Sequence, residues 1–357
     1  MSIHNWGSRI TTNTTYNGID AFVIENEVLR ITVLAGKGTD IVEYLHKPSD
    51  TDFMWKSPIG WHSSNQRIQT THSEISSFMD YYGGGWQECF PSGGPYTKYA
   101  GTEIGLHGEV TTLPWTYTVI TDTPEMVEVR CSVETYRTPF RLEKTFRLRS
   151  GSMVLEIEES VTNLGEENLP YMWGHHPAFG EAILDESCRI DIPATDVHTH
   201  TTIQDAKNSQ FAPDAHGKWP MLTNIDGKEI DNSQALPKSA KTHDLLFLSG
   251  LQDGWFALTN RNKQIGIAMQ WDVEMFPYIW FWQVYGGGSG YPWYGRTYNV
   301  AIEPWTSWPN DGVEAAVENG TAKQIVAGET VSTTFNVVVY TGKESVSHID
   351  SQGNVTE

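Results

Sequence analysis

Apolar and polar residues alternate with a period of two along much of the chain. Met126-Val127-Glu128-Val129-Arg130-Cys131-Ser132-Val133, Phe140-Arg141-Leu142-Glu143-Lys144-Thr145-Phe146-Arg147-Leu148 and Met153-Val154-Leu155-Glu156-Ile157-Glu158 each turn every second side chain to an apolar face, as half-buried antiparallel strands do. Arg137-Thr138-Pro139 and Arg149-Ser150-Gly151-Ser152 separate them as turns, so this region is a meander rather than a set of βαβ units. Phe22 to Leu34 reads as a hairpin broken at Glu25-Asn26-Glu27. Trp255 to Thr259, Gln264 to Gln270, Ile279 to Tyr285, Tyr298 to Glu303 and Thr330 to Tyr340 continue the strand pattern. Helical signal is confined to weak stretches such as Ser63 to Met79, where Ile68, Ile75 and Phe78 share a face. The pattern predicts an all-β fold whose strands close into large packed antiparallel sheets. No low-complexity linker or fixed-period repeat interrupts it, so residues 18–342 are expected to form one domain, with loose tails at 1–17 and 343–357.

Composition narrows the partners. Of 357 residues, 39% are hydrophobic and 12% aromatic, ample for a packed core; 24 Lys and Arg against 44 Asp and Glu give a net charge of −20. Nucleic acid and anionic membranes would be repelled, which leaves a neutral small molecule as the expected partner. Met1-Ser2-Ile3-His4-Asn5-Trp6 has neither a basic nor an apolar leader region, and no apolar run reaches membrane-spanning length. A cytoplasmic location is therefore expected. Cys89, Cys131 and Cys188 are odd in number and widely spaced, and are read as reduced, buried thiols.

Two ionisable residues directly precede prolines at strand ends: Glu303 in Ile302-Glu303-Pro304-Trp305 and His176 in Gly174-His175-His176-Pro177-Ala178-Phe179. Proline restricts the preceding residue to extended backbone, so each side chain should leave its sheet in a defined direction. Parity puts Asn299, Ala301 and Glu303 on one face of their strand, and apolar neighbours should raise the Glu303 pKa toward neutrality. An imidazole at position 176 can donate a proton near neutral pH. A Glu bound to an Arg or to backbone amides and a satisfied structural His are the bland alternatives. His107 lies between two near glycines in Gly105-Leu106-His107-Gly108, which let a ligand come close. His198-Thr199-His200 puts two imidazoles on one strand face but lacks a nearby third ligand, so no metal is expected, and the polar insertion around 195–243 reads as surface. Phe276 to Tyr285 and Trp86-Gln87-Glu88 set aromatic faces beside amides and carboxylates, the chemistry that recognises a sugar ring. A glycosidase would need a second carboxylate facing Glu303, from Glu88 or Asp244.

Leu106-His107-Gly108, His175-His176-Pro177-Ala178-Phe179 after Val161-Thr162-Asn163, Ile302-Glu303-Pro304, and Val326-Ala327-Gly328-Glu329-Thr330 resemble, in order and spacing, the signatures of the aldose 1-epimerase (galactose mutarotase-like) family, from about residue 20 to 341. The resemblance implies a β-supersandwich that binds a monosaccharide without a cofactor, as a monomer or homodimer. It implies Glu303 as base, His176 as acid and His107 at the ring oxygen. Asp244, Gln283, Trp86, Gln87, His175 and Trp282 would line the substrate site. The chain departs from the family in one respect: the Gly-Arg motif shortly upstream of Leu-His-Gly is absent. Arg67 is the nearest upstream arginine, and Tyr82 stands before Gly83-Gly84-Gly85 where hexose-6-phosphate mutarotases carry an Arg. That departure favours a neutral aldose over a phosphorylated one. A non-catalytic carbohydrate-binding protein is the reading from another class.

Overall fold

Two large antiparallel sheets account for most of the computed structural model, which describes residues 4–63, 71 and 73–357. The larger has fourteen strands. It runs from Arg9–Tyr16 through Ile19–Glu25, Leu29–Leu34, Asp40–His46 and Trp86–Cys89 to Gly174–Phe179, Tyr298–Trp305, Tyr278–Tyr285, Thr242–Ser249 and Asp196–Thr199, and ends in short strands up to Glu229–Asp231. The smaller has eight, ordered Cys188–Asp191, Trp255–Asn260, Ile265–Gln270, Thr330–Thr341, Val154–Asn163, Phe140–Arg149, Met126–Glu134 and Thr116–Thr123. The fold is the expected all-β supersandwich.

Alternation in the sequence becomes alternation in burial. Val127, Val129, Cys131 and Val133 point into the core from Met126–Glu134, and the predicted meander pairs in register with Phe140–Arg149 and Val154–Asn163. The broken hairpin turns at Asn26, whose Oδ1 accepts from the amides of Val28 and Leu29 while its Nδ2 donates to the carbonyls of Arg149 and Ser152. Contacts such as Phe22 with Phe146 and His175 with Phe335 join the sheets across the core. The opposite face of the large sheet is left for a second, aromatic cluster around Trp55, Phe78, Tyr82, Trp282 and Trp293.

Three expectations need correction. Residues 1–17 are not simply a loose tail: Arg9–Tyr16 is the outer strand of the large sheet, paired with Ile19–Glu25, and its polar Thr- and Asn-rich sequence hid it because one face meets solvent. The C-terminal segment also docks, with Val346 and Ile349 packed against Trp255 and Tyr340 and the Val346 amide bonded to Asp191. Only its isolated apolar residues announced this. The insertion around 195–243 is not all surface either, since Asp196–Thr199 extends the large sheet and His198 is buried against Trp308. Among the described residues of the stretch 63–79 one helical turn forms, Ser76–Met79; residues 64–70 and 72, Arg67 and Ile68 among them, lie outside the described residues. Among the described residues no helix is long and apolar enough to cross a membrane. The three cysteines are free and buried.

Candidate active site

Gly174–Phe179 and Tyr298–Trp305 are hydrogen-bonded neighbours, with Gly174 opposite Trp305 and Ala178 opposite Ala301. That register sets His176 and Glu303 side by side on the aromatic face, where Nε2 of His176 stands 3.3 Å from Oε1 of Glu303. Gly174 is required here because a Cβ would fall 2.1 Å from the Trp305 indole, which lies over this position. Trp305 stacks on Trp280 with centroids 3.9 Å apart and donates Nε1–H to Oε2 of Glu303 at 3.0 Å.

His107 arrives from a loop rather than a strand. Its φ is +61° and its ring centroid is 5.7 Å from that of His176. The Gly94 amide donates to Nδ1 of His107 at 3.2 Å, which assigns the ring proton of the neutral form to Nε2. Gly94 itself has φ +86° and sits so close to Asn310 that a Cβ would meet the Asn310 carbonyl oxygen at 1.9 Å. The absence of a side chain thus lets the His107 loop and the Asn310 loop close on one another.

Together His107, His176, Glu303 and Trp282 line a cavity of about 310 Å³ with Phe78, Tyr82, Leu106, Trp280, Trp293, Gln204, His243 and Asn310. This is at the lower end of the roughly 300–1,000 Å³ found for small-molecule sites. Among the described residues no Lys or Arg lines it. A groove of about 840 Å³ beside the helix Val313–Glu318 is larger, but its charged groups, Lys98, Glu103, Arg137, Glu314 and Glu318, are all exposed and solvated.

Burial decides the protonation of the pair. It pushes the Glu303 carboxyl up to about 8, against the lowering effect of the Trp305 indole, and pulls the His176 imidazole down to about 4. Burial, with the nearby His176, takes His107 down to about 3. The expectation that Glu303 is raised holds; the expectation of an imidazole ready to donate at neutral pH does not. In the resting site the shared proton rests on the carboxyl.

The remaining predicted residues fall into adjacent pairs, and strand parity splits them. Trp282 faces the cavity while Gln283 points to the sheet's other face, opposite Asp244. His176 faces the cavity while His175 points between the sheets, accepting from Trp86 Nε1 at Nδ1 and meeting Glu159 through Nε2 at 2.9 Å. Trp86 is therefore a core residue. Gln87 pairs with His176 across the ladder but is fully buried, donates to the Gly84 carbonyl, and is not among the cavity's lining residues. Asp244 does not line this cavity either; its Oδ1 accepts from Ser209 Oγ and the Gln210 amide, anchoring a loop, and it borders a smaller adjoining cleft with His243 and Trp282. Its neighbour His243 faces the cavity instead. No facing second carboxylate comes from Glu88 or Asp244, because Glu88 lies between the sheets bonded to Trp173 and Lys144.

The same inter-sheet network brings Glu88, Glu159 and His175 within metal-ligand reach of one another. The Lys144 ammonium already stands 2.7 Å from Glu88 and 3.2 Å from Glu159, supplying the positive charge there.

Tyr82 was not among the predicted site residues. Its hydroxyl lies 3.2 Å from Nδ1 of His176, and its ring stacks on Phe78. The signal available in sequence was its place before three glycines.

A Klebsiella pneumoniae protein provisionally described as an aldose 1-epimerase superposes with a TM-score of 0.72 at 16% identity, covering 93% of this chain and 83% of that one. The Slr1438 protein of Synechocystis sp. PCC 6803 gives 0.63 at 17% identity, over 93% of this chain and 100% of its own. A galactose mutarotase-like protein of Clostridium acetobutylicum gives 0.61 at 15%, over 94% and 99%. At such identities the likeness shows the fold alone. No curated protein matches the sequence. The model of one family, described as a domain of unknown function (DUF4432), matches residues 16–339. The chain belongs to that family, and its fold is galactose mutarotase-like.

Proposed function

We propose that the protein is an aldose 1-epimerase that interconverts the α and β anomers of a neutral aldose. The observation that carries this reading is the 3.3 Å contact between His176 and Glu303 on the wall of an aromatic cavity. Anomer exchange needs a base for the C1 hydroxyl and an acid for the ring oxygen, each contributing about a hundred- to ten-thousand-fold. These two oxygens share one carbon, so neighbouring groups reach both.

Ring opening runs from the ionic arrangement of the pair, reached when the resting Glu303 carboxyl passes its proton across the 3.3 Å contact to His176; the Glu303 carboxylate then takes the hydroxyl proton as the bond from C1 to the ring oxygen breaks. The His176 imidazolium delivers a proton to that oxygen, leaving a carboxylic acid and a neutral imidazole. The aldehyde turns about its bond to C2. In closure the ring hydroxyl returns its proton to His176 while Glu303 protonates the carbonyl oxygen, now on the other face. The pair carries one proton fewer or more at no stage; the proton merely changes sides. Burial favours the neutral arrangement, which is the one paired with the open-chain sugar. His107, with its proton on Nε2, offers a hydrogen bond to a ring oxygen or hydroxyl. No cofactor takes part in this scheme.

The absence of Lys and Arg among the described lining residues supports a neutral sugar over a phosphorylated one. Freshly dissolved α-anomers of a monosaccharide panel, followed by polarimetry with and without protein, test the reading. Accelerated equilibration that Glu303→Gln abolishes supports it. Sugar binding with no acceleration for any member would identify a binding protein instead.

A further inference from the structure

Trp282 has one polar atom, and that atom is held. Its Nε1–H donates to Nε2 of His243 at 2.9 Å, and Nδ1 of His243 stands 2.9 Å from Oδ2 of Asp205. Each end of the imidazole has one compatible role: Nδ1 must carry the proton to meet a carboxylate, and Nε2 must be bare to accept from an indole. The tautomer is thereby determined, and a chain of three side chains runs from an acidic loop residue to the cavity wall. Asp205 is itself fixed, accepting from Asn208 Nδ2 at 2.9 Å and from the Ser289 amide at 3.3 Å.

The indole so held is central to the cavity. Its ring centroid lies 5.6 Å from His176, 5.8 Å from Trp293 and 5.9 Å from Trp55. Aromatic packing alone tolerates a range of angles. A single directional bond at the ring's edge removes that freedom.

We propose that Asp205 and His243 are positioning residues that lock the indole of Trp282 as the face on which the sugar ring stacks. The sugar rests on the reading above; the lock itself does not. The two therefore fail separately in one experiment. Parent, His243→Phe, His243→Gln and Asp205→Asn proteins are labelled with ¹⁵N-tryptophan, the Trp282 indole signal is assigned with Trp282→Phe, and exchange kinetics are measured on α-D-glucose and α-D-galactose. Phenylalanine removes the acceptor, whereas glutamine restores one through its amide oxygen.

The expected result is that His243→Phe displaces the Trp282 indole N–H resonance and raises KM about three- to tenfold, the equivalent of one hydrogen bond, with kcat little changed. His243→Gln should return both toward the parent. Asp205→Asn, which keeps an acceptor for Nδ1–H, should give an intermediate displacement and decides the matter if the phenylalanine variant does not fold. An unmoved indole resonance in the variants, or a loss confined to kcat, overturns the proposal. A parent protein that exchanges no anomer overturns the assigned reaction, and the resonance then judges the lock alone.

Discussion

Trp305 donates its indole N–H to the carboxyl of Glu303 from two residues further along the same strand face, at 3.0 Å. The bond favours the carboxylate and so works against burial, which favours the acid. Trp305→Phe retains a ring to stack on Trp280 but removes the donor. The Glu303 pKa should then rise by about one unit, given the strength of a hydrogen bond to a charged group. The check is the alkaline limb of the pH–rate profile, which should move to higher pH while the acid limb stays in place.

The parent profile itself follows from the pair. Exchange requires one proton between Glu303 and His176. Below about 4 both groups carry one, and above about 8 neither does. The rate should form a plateau between these values and fall about tenfold per pH unit beyond either end, as for any pair titrating as a unit. Initial rates of polarimetric equilibration, corrected for the uncatalysed reaction at each pH, measure it.

Holding Glu303 in a dry site costs stability. Its folded pKa of about 8 is raised above the ordinary 4.5, so the relative stability it contributes is fully present below pH 4.5 and is lost as pH rises through about 8. Glu303→Gln has no charge to bury, keeps an oxygen for Trp305 and offers an amide to His176. Denaturant unfolding should find the variant more stable than the parent by roughly 2–4 kcal/mol at pH 8, with the gap closing near pH 4. An inactive variant that is also more stable separates the chemistry from the fold.

How much of this was legible in the sequence depended on which physical rule each residue obeyed. Glu303 and His176 were readable because proline fixes the backbone beside each and parity fixes the face. Their contact was not, since it arises from the register between strands more than a hundred residues apart. Parity also exposes the errors: Trp282 with Gln283, His175 with His176 and Trp86 with Gln87 are sequence neighbours, and both members of a strand pair cannot face one cleft. Asp244, one residue from the cavity-lining His243, borders the smaller adjoining cleft instead. Tyr82 and Asn310 sit on loops, where no period exists to read.

Tyr82 offers its own test. The hydroxyl on Nδ1 of His176 orients the imidazole so that Nε2 faces Glu303. Tyr82→Phe keeps the stack on Phe78 and the contact with Trp55 while deleting that bond. Loss of one hydrogen bond to the reacting group should reduce kcat about threefold to tenfold and leave KM nearly unchanged. A rise in KM instead would make Tyr82 a sugar ligand.

Lys144 should matter to the fold and not to the reaction. Its ammonium neutralises Glu88 and Glu159 between the sheets, and those carboxylates hold its pKa well above the ordinary value despite burial. Burial and the neighbouring Glu159 raise Glu88; Glu159, though buried, is held low by His175 and Lys144. Lys144→Met fills the same space but leaves two buried acids with one imidazole between them, a loss of roughly 3–5 kcal/mol for breaking a buried ion network at one partner. Adding Glu88→Gln to Lys144→Met removes the stranded charge and should recover part of that loss in denaturant unfolding. Because the network lies on the face of its strand opposite His176, the folded fraction of each variant should bind sugar as the parent does. Unchanged stability in Lys144→Met would mean that the carboxylates simply take up protons, and the network would then contribute no net charge pairing to the fold.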